Sequence, residues 1–176
     1  LGLIKAIGQV LFSLIIVESL KKIYKNREKS LFEKFSFNDS KIPESIVSLV
    51  KSVNSNETRD LIENTDADFI LVNGTRIIGK KTLGCTNYKF INIHTGITPK
   101  YRGVHGGYWA LINKDLESCG VTLHYVDKGE DTGDIIAQLL ITTSSKDSFV
   151  TYPLLQLNQG ISLLEKFINT DLEKEK

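Results

Sequence analysis

Residues 88–93, Tyr-Lys-Phe-Ile-Asn-Ile, are aromatic and β-branched with no helix signal, and His94 follows them directly. Such a run reads as a strand. Side chains two apart on a strand point to one face, so Asn92 and His94 are presented together. The chain then leaves through Thr95-Gly96 and Thr98-Pro99, which are turn residues. The Asn/His pair is therefore expected at the carboxyl end of a strand, the place where open α/β sheets bind ligands.

A second strand is expected over residues 121–126, Val-Thr-Leu-His-Tyr-Val, running into Asp127-Lys128-Gly129-Glu130-Asp131-Thr132-Gly133. That loop is too polar and glycine-rich to be core. Between the two strands, residues 105–112 read as a helix entry and an apolar helix. Strand, helix, strand predicts a right-handed crossover that puts neighbouring strand ends on one edge. Asn92, His94 and Asp131 then converge. Elsewhere, residues 54–65 read as a capped helix leading into a short buried strand at 69–72. Residues 46–50 are strand-like, and a helix begins near Tyr152 or Pro153 and ends in a charged, solvated tail at 171–176.

Taken singly, these residues have plainer readings. His94 at a strand end fits a structural histidine, and Asn92 and Asp131 fit turn formers. His124 alternates against Leu123 and Tyr125 and reads as a packed, hydrogen-bonded histidine. His105 enters a helix within reach of a pocket mouth. Trp109 reads as helix core and Asp134 as solvated.

The order of the segments carries more than any one of them. Asn92-x-His94, then Pro99-Lys100-Tyr101-Arg102-Gly103, then Gly120-Val121-Thr122-Leu123-His124, then Asp131-Thr132-Gly133 resembles the catalytic domain of the folate-dependent formyltransferases. That family includes methionyl-tRNA formyltransferase, glycinamide ribonucleotide transformylase and the sugar N-formyltransferases. The resemblance spans about residues 66–136. It implies a Rossmann-like α/β fold: an open, twisted, mostly parallel sheet with flanking helices, here lacking the first strand or strands. It also implies transfer of the formyl group of 10-formyltetrahydrofolate to a primary amine through a tetrahedral intermediate. In that chemistry the Asn92 amide and a protonated His94 donate to the oxyanion. Asp131 takes the ammonium proton, directly or through water, and favours the charged imidazole.

By position, the same resemblance assigns Arg76, Ile77 and Ile78 to one wall of the folate pocket. It assigns Val126, Asp127 and Glu130 to the other. Tyr101, Arg102 and His105 fall to the amine substrate. Residues 101–107 look most like members acting on amino sugars, often nucleotide-linked. Glycinamide ribonucleotide is a second acceptor, and methionyl-tRNA is disfavoured because no basic second domain follows. A 10-formyltetrahydrofolate hydrolase could use the same triad, and a non-catalytic folate-binding or assembly domain is the reading from another class. No metal is implied, since three His and two Cys give no ligand spacing.

Composition sets outer bounds. One domain over residues 1–176 is expected, with its core at about 54–170. A net charge of +1 gives no case for a nucleic-acid-seeking surface. Cys85 and Cys119 build no disulfide framework, so a cytoplasmic location is expected. Residues 1–20 are rich in Leu, Ile and Val but interrupted by Lys5, Gln9 and Glu18, short of a membrane span. Residues 1–30 therefore read as an amphipathic helical segment docked on the domain or a partner, with membrane contact the lesser alternative. Homo-oligomerisation stays open.

Overall fold

A computed structural model describes residues 2, 7, 8 and 10–171. Expectations for Leu1, residues 3–6, Gln9 and the tail from 172 lie outside the described residues. Four strands form one open sheet in chain order: β1 (Phe69–Val72), β2 (Lys89–His94), β3 (Gly120–Tyr125) and β4 (Ile135–Leu140). Among the described residues these α-helices accompany it: α1 (Glu18–Phe35), preceded by a π-helical segment at Phe12–Val17, α2 (Asn56–Glu63), α3 (Lys80–Leu83), α4 (Gly106–Ile112) and α5 (Tyr152–Asp171). Ser55 caps α2, its hydroxyl accepting the Thr58 N–H at 3.2 Å.

The α/β class, the open sheet and the flanking helices stand as expected; the strand directions do not. Strands β1 and β2 are parallel, but β2–β3 and β3–β4 are antiparallel, so the sheet is mixed rather than mostly parallel. The expected crossover fails for a local reason. After the seven residues of α4, Lys114 takes a left-handed conformation (φ 56°) and a 3-10 turn follows at Leu116–Ser118. These turn the chain back, and Gly120 begins β3 beside the end of β2. Strand β4 had no counterpart in the sequence reading. Residues 46–50 give a 3-10 turn at Glu44–Ile46 and no strand.

The alternation of β2 and β3 divides the sheet into two chemistries. Ile91, Val121 and Leu123 are fully buried and pack with Leu163 and Phe167 of α5, joined by Ile93, Ala137 and Leu139. Their neighbours Asn92, His94, Thr122 and His124 face the other way. Gly160 lets α5 lie on this surface, since a Cβ there would stand 2.6 Å from Ile93 Cγ2. A second cluster gathers Ala110, Cys119, Ile141 and Tyr152. Burial pushes the Tyr152 phenol up to about 12 and raises the Cys119 thiol. Both cysteines are free.

The amino-terminal helical stretch docks through its later part. In α1, Leu31 is fully buried, and Arg27 Nε meets Asp147 Oδ1 at 2.9 Å in the loop before α5. Ahead of α1, Phe12 touches Phe149 edge-on at 5.7 Å, yet Leu14 is 66% exposed and Ile15 55%. Among the described residues the amino-terminal stretch thus docks through α1 and Phe12, while Leu14 and Ile15 stay exposed. Among the described residues no helix is long and apolar enough to cross a membrane.

Leu123→Ala should cost about 2–5 kcal/mol of stability, read by urea unfolding. Burial pushes the Asp147 carboxyl up, but Arg27 and the Ser144 N–H and hydroxyl outweigh it and hold the carboxyl below its usual range. Its contribution is therefore complete above the unfolded carboxyl's pKa of about 3.9 and lost as pH falls through the lower folded value. Amide exchange in α1 should accelerate below that pH. Arg27→Ala should shrink the acid step, leaving the part held by Ser144, and cost about 1.5–3 kcal/mol; an unchanged acid step would contradict this account.

Candidate active site

Because β1 and β2 are parallel, their carboxyl ends share an edge, and a cavity of about 410 Å³ opens there. Residues 72–78 leave β1 as one wall. Asn92 to Thr95 form the floor with His124, residues 103–105 form a rim, and residues 126–131 return from β3 as the opposite wall. All six residues assigned to the folate pocket line this cavity: Arg76, Ile77, Ile78, Val126, Asp127 and Glu130. Ile77 and Ile78 with Val72 and Val126 give the walls apolar surface. The Thr132 hydroxyl and the Gly129 N–H hold the Asp127 carboxyl below its usual range, so this wall is anionic at neutral pH.

Asn92, His94 and Asp131 meet at the floor. His94 Nδ1 lies 3.1 Å from Asp131 Oδ2, and Asn92 Nδ2 lies 3.4 Å from Asp131 Oδ1. The three converge without the expected crossover. Strand β3 runs back along β2, and its exit loop folds over Asn92, with Asp131 itself in the left-handed region at φ 51°. The same carboxylate accepts the Gly103 N–H at 2.9 Å, and Arg102 Nε donates to the Asp131 carbonyl at 3.1 Å. The two loops are therefore pinned to each other across the cavity rim.

Hydrogen positions follow from the partners. The Tyr101 carbonyl, 2.7 Å from His94 Nε2, can only accept, so Nε2 carries a hydrogen. The Nδ1 contact with Asp131 then requires one proton held between ring and carboxylate. His124 Nδ1 lies 2.8 Å from the Tyr125 carbonyl and carries a hydrogen by the same logic; its Nε2 faces both Asn92 Nδ2 at 3.2 Å and Asp131 Oδ1 at 3.5 Å, and in the neutral ring accepts from the amide. Asn92 thus has one N–H well held by His124. The other is only loosely associated with Asp131, at the long limit of a hydrogen bond. His124 is packed as expected, at 2% exposure, yet it also orients Asn92. Its place opposite Asn92 in the β2–β3 register is what the sequence alone did not show.

Other expectations come out differently. The Tyr101 ring turns away from the cavity: its hydroxyl donates to Asp115 Oδ2 at 3.0 Å, while its backbone carbonyl serves the site. Arg102 is exposed at the rim and outside the cavity lining, whereas His105 lines it, held at φ 63° as the residue before α4. Trp109 is 51% exposed on α4 and is not core; Gly106, Gly107 and Ala110 take that role. The sequence reading also missed Asn54, whose side-chain amide donates to Ile77 O at 3.0 Å and accepts from Gly79 N at 2.7 Å, fixing the cavity wall from outside. Among the described residues no group of three or more His, Cys, Asp or Glu side chains is placed to hold a metal ion.

Comparison with known proteins bears out the family resemblance. The sequence model of the family described as formyl transferase matches residues 14–159. A methionyl-tRNA formyltransferase of Fusobacterium nucleatum is 33% identical over 168 residues, 86% of this chain and 54% of that protein. One from Finegoldia magna is 40% identical over 88 residues, 49% of this chain and 28% of that protein. Among solved structures, phosphoribosylglycinamide formyltransferase from Bacillus halodurans superposes with a TM-score of 0.55 at 30% identity, covering 65% of this chain and 61% of that one. The chain thus spans about a quarter to a half of the length of these curated relatives.

Gly96 is where this floor is least tolerant. A Cβ there would collide with the Tyr101 carbonyl and lie 2.7 Å from His94 Nε2. Gly96→Ala should therefore part His94 from Tyr101 and cost about 1–3 kcal/mol through overpacking. Thermal unfolding and the imidazole NMR signals would show it, and an unshifted His94 signal would refute the close approach.

Proposed function

The chain belongs to the formyl transferase family, and we propose that it carries the catalytic half of an N-formyltransferase that uses 10-formyltetrahydrofolate and a primary amine. The observation that carries this reading is the contact of one carboxylate, Asp131, with both His94 and Asn92 at the floor of an apolar-walled cavity. The cavity suits a flat heteroaromatic donor: apolar side chains on both walls, backbone groups at residues 73–76 and 126–130, and no buried unpaired charge. When bound, that donor supplies the one-carbon unit.

The protein's part is to hold groups and move a proton. Asn92 has a loosely held N–H to offer the carbonyl oxygen as it gains charge, and His124 keeps that amide aimed. Asp131 accepts the proton that the attacking amine must lose, directly or through water. His94 shares the Asp131 proton through Nδ1 while Tyr101 holds Nε2, so the pair can take up charge without the ring turning. Asp131 contacts His94, Asn92 and Gly103 at once, which fits a catalytic site better than a folate-binding module; the acceptor alone separates an amine transferase from a hydrolase with the same triad.

Two acceptor classes have specific support. The turn at residues 101–107 favours an amino sugar, often nucleotide-linked. The names of the curated relatives favour methionyl-tRNA. Tetrahydrofolate release should be followed with amino-sugar nucleotides, glycinamide ribonucleotide, methionyl-tRNA and no amine, each alone. Release that needs one amine names the acceptor, and release without amine identifies a hydrolase. Asp131→Asn should lower kcat by about 10²–10⁴ with folate binding retained; equal loss of both would end the assignment of Asp131.

A further inference from the structure

What keeps His94 in place reaches beyond the cavity. His94, Thr122 and Gln138 stand in one row across β2, β3 and β4, because His94 pairs with Thr122 and Thr122 with Gln138. Paired residues of antiparallel strands project to the same face. Thr122 is fully buried, and its hydroxyl is saturated. It donates to Gly96 O at 2.7 Å, accepts the Thr98 N–H at 3.1 Å and accepts Gln138 Nε2 at 2.9 Å. One hydrogen and two lone pairs allow no more. Gln138 places its other Nε2 hydrogen on Thr98 O at 2.8 Å.

These bonds fix both sides of residues 96–98, the bend that carries Tyr101 to His94. Tyr101 N donates to Ile97 O at 2.9 Å, and Tyr101 O then meets His94 Nε2 at 2.7 Å. We propose that Gln138 is a positioning residue for His94. It acts through Thr122 and the 96–101 turn to hold Nε2–H on the Tyr101 carbonyl, which leaves Nδ1 as the nitrogen that exchanges a proton with Asp131. Gln138 is exposed and lies outside the cavity lining, so nothing marks it as part of the site except these bonds. Its consequence for catalysis rests on the formyl-transfer reading; its consequence for His94 does not.

The chain has three histidines, which makes their ring nitrogens separable by long-range proton–nitrogen NMR. In the unaltered chain His94 Nε2–H should be a protected, slowly exchanging signal. Gln138→Met should speed that exchange about tenfold, equivalent to about 1.4 kcal/mol, and mix the two neutral ring forms. Gln138→Asn, too short to span Thr98 O and Thr122 Oγ1, should give the same change at smaller amplitude and covers the case in which Gln138→Met does not fold. Thr151→Val, which removes a buried hydroxyl that accepts the Ser148 N–H at the start of α5, should lower Tm without moving His94. With formyl transfer, Gln138→Met should displace the pH profile of kcat and leave KM for the donor unchanged. His94 signals that match the unaltered chain in both Gln138 variants would overturn the proposal, whatever happens to Tm. Absence of transfer by the unaltered chain, with the His94 response present, would instead remove the formyl-transfer reading and leave the positioning role standing.

Discussion

The arrangement rests on the antiparallel ladder between β2 and β3, where every paired residue commits its neighbour to the opposite face. Ile91 and Leu123 are fully buried against α5, and their register places Asn92 opposite His124 and His94 opposite Thr122. A slip of one residue would send the polar row into the core and the apolar row into the cavity. Hydrophobic burial therefore sets the alignment of the polar site, although the fully buried Ile91, Val121 and Leu123 do not line it. The core is worth several kcal/mol per large residue, more than the individual hydrogen bonds of the floor, at about 1 kcal/mol each.

Polar burial is the other half of the design. Gln156 on α5 is 2% exposed and donates to Thr95 O at 3.0 Å and Gly120 O at 2.8 Å, joining the end of β2 to the start of β3. Gly107 makes room for that amide, for a Cβ there would meet Gln156 Nε2. Gly106 and Gly96 approach so closely that a Cβ on Gly106 would stand 2.8 Å from the Gly96 Cα. Backbone packed this tightly leaves little play in the turn that holds the Tyr101 carbonyl.

Much of the site was legible in the chain because its chemistry is local. Asn92 and His94 share a face by strand periodicity, the loop carrying Asp131 announces itself by composition, and the cavity walls follow by resemblance. Strand β1 and the start of α5 were legible for the same reason, each having a clear apolar pattern and boundary. What was not legible depends on partners distant in sequence. The direction of β3 hinges on a left-handed Lys114, which no hydrophobic pattern encodes. Residues 135–140 fit a strand, but only pairing with β3 makes them β4. Tyr101 turns outward because Asp115 and Asn113 offer it partners, and Trp109 is left exposed because the small residues of α4 face inward.

On the proposed mechanism Asp131 combines a charge requirement with a backbone requirement, and together they narrow what else can stand there. At φ 51° the left-handed region favours Asn and Asp among residues with a side chain. Asn satisfies the backbone but surrenders the charge. Glu keeps the charge but lacks the short side chain suited to that conformation, and its added methylene would move the oxygens away from His94, Asn92 and Gly103. Neutral drift through a chemically similar neighbour is thus closed at this position by geometry as well as by chemistry. Within this loop, aspartate is thus the residue that supplies both a carboxylate and a side chain short enough for the left-handed backbone.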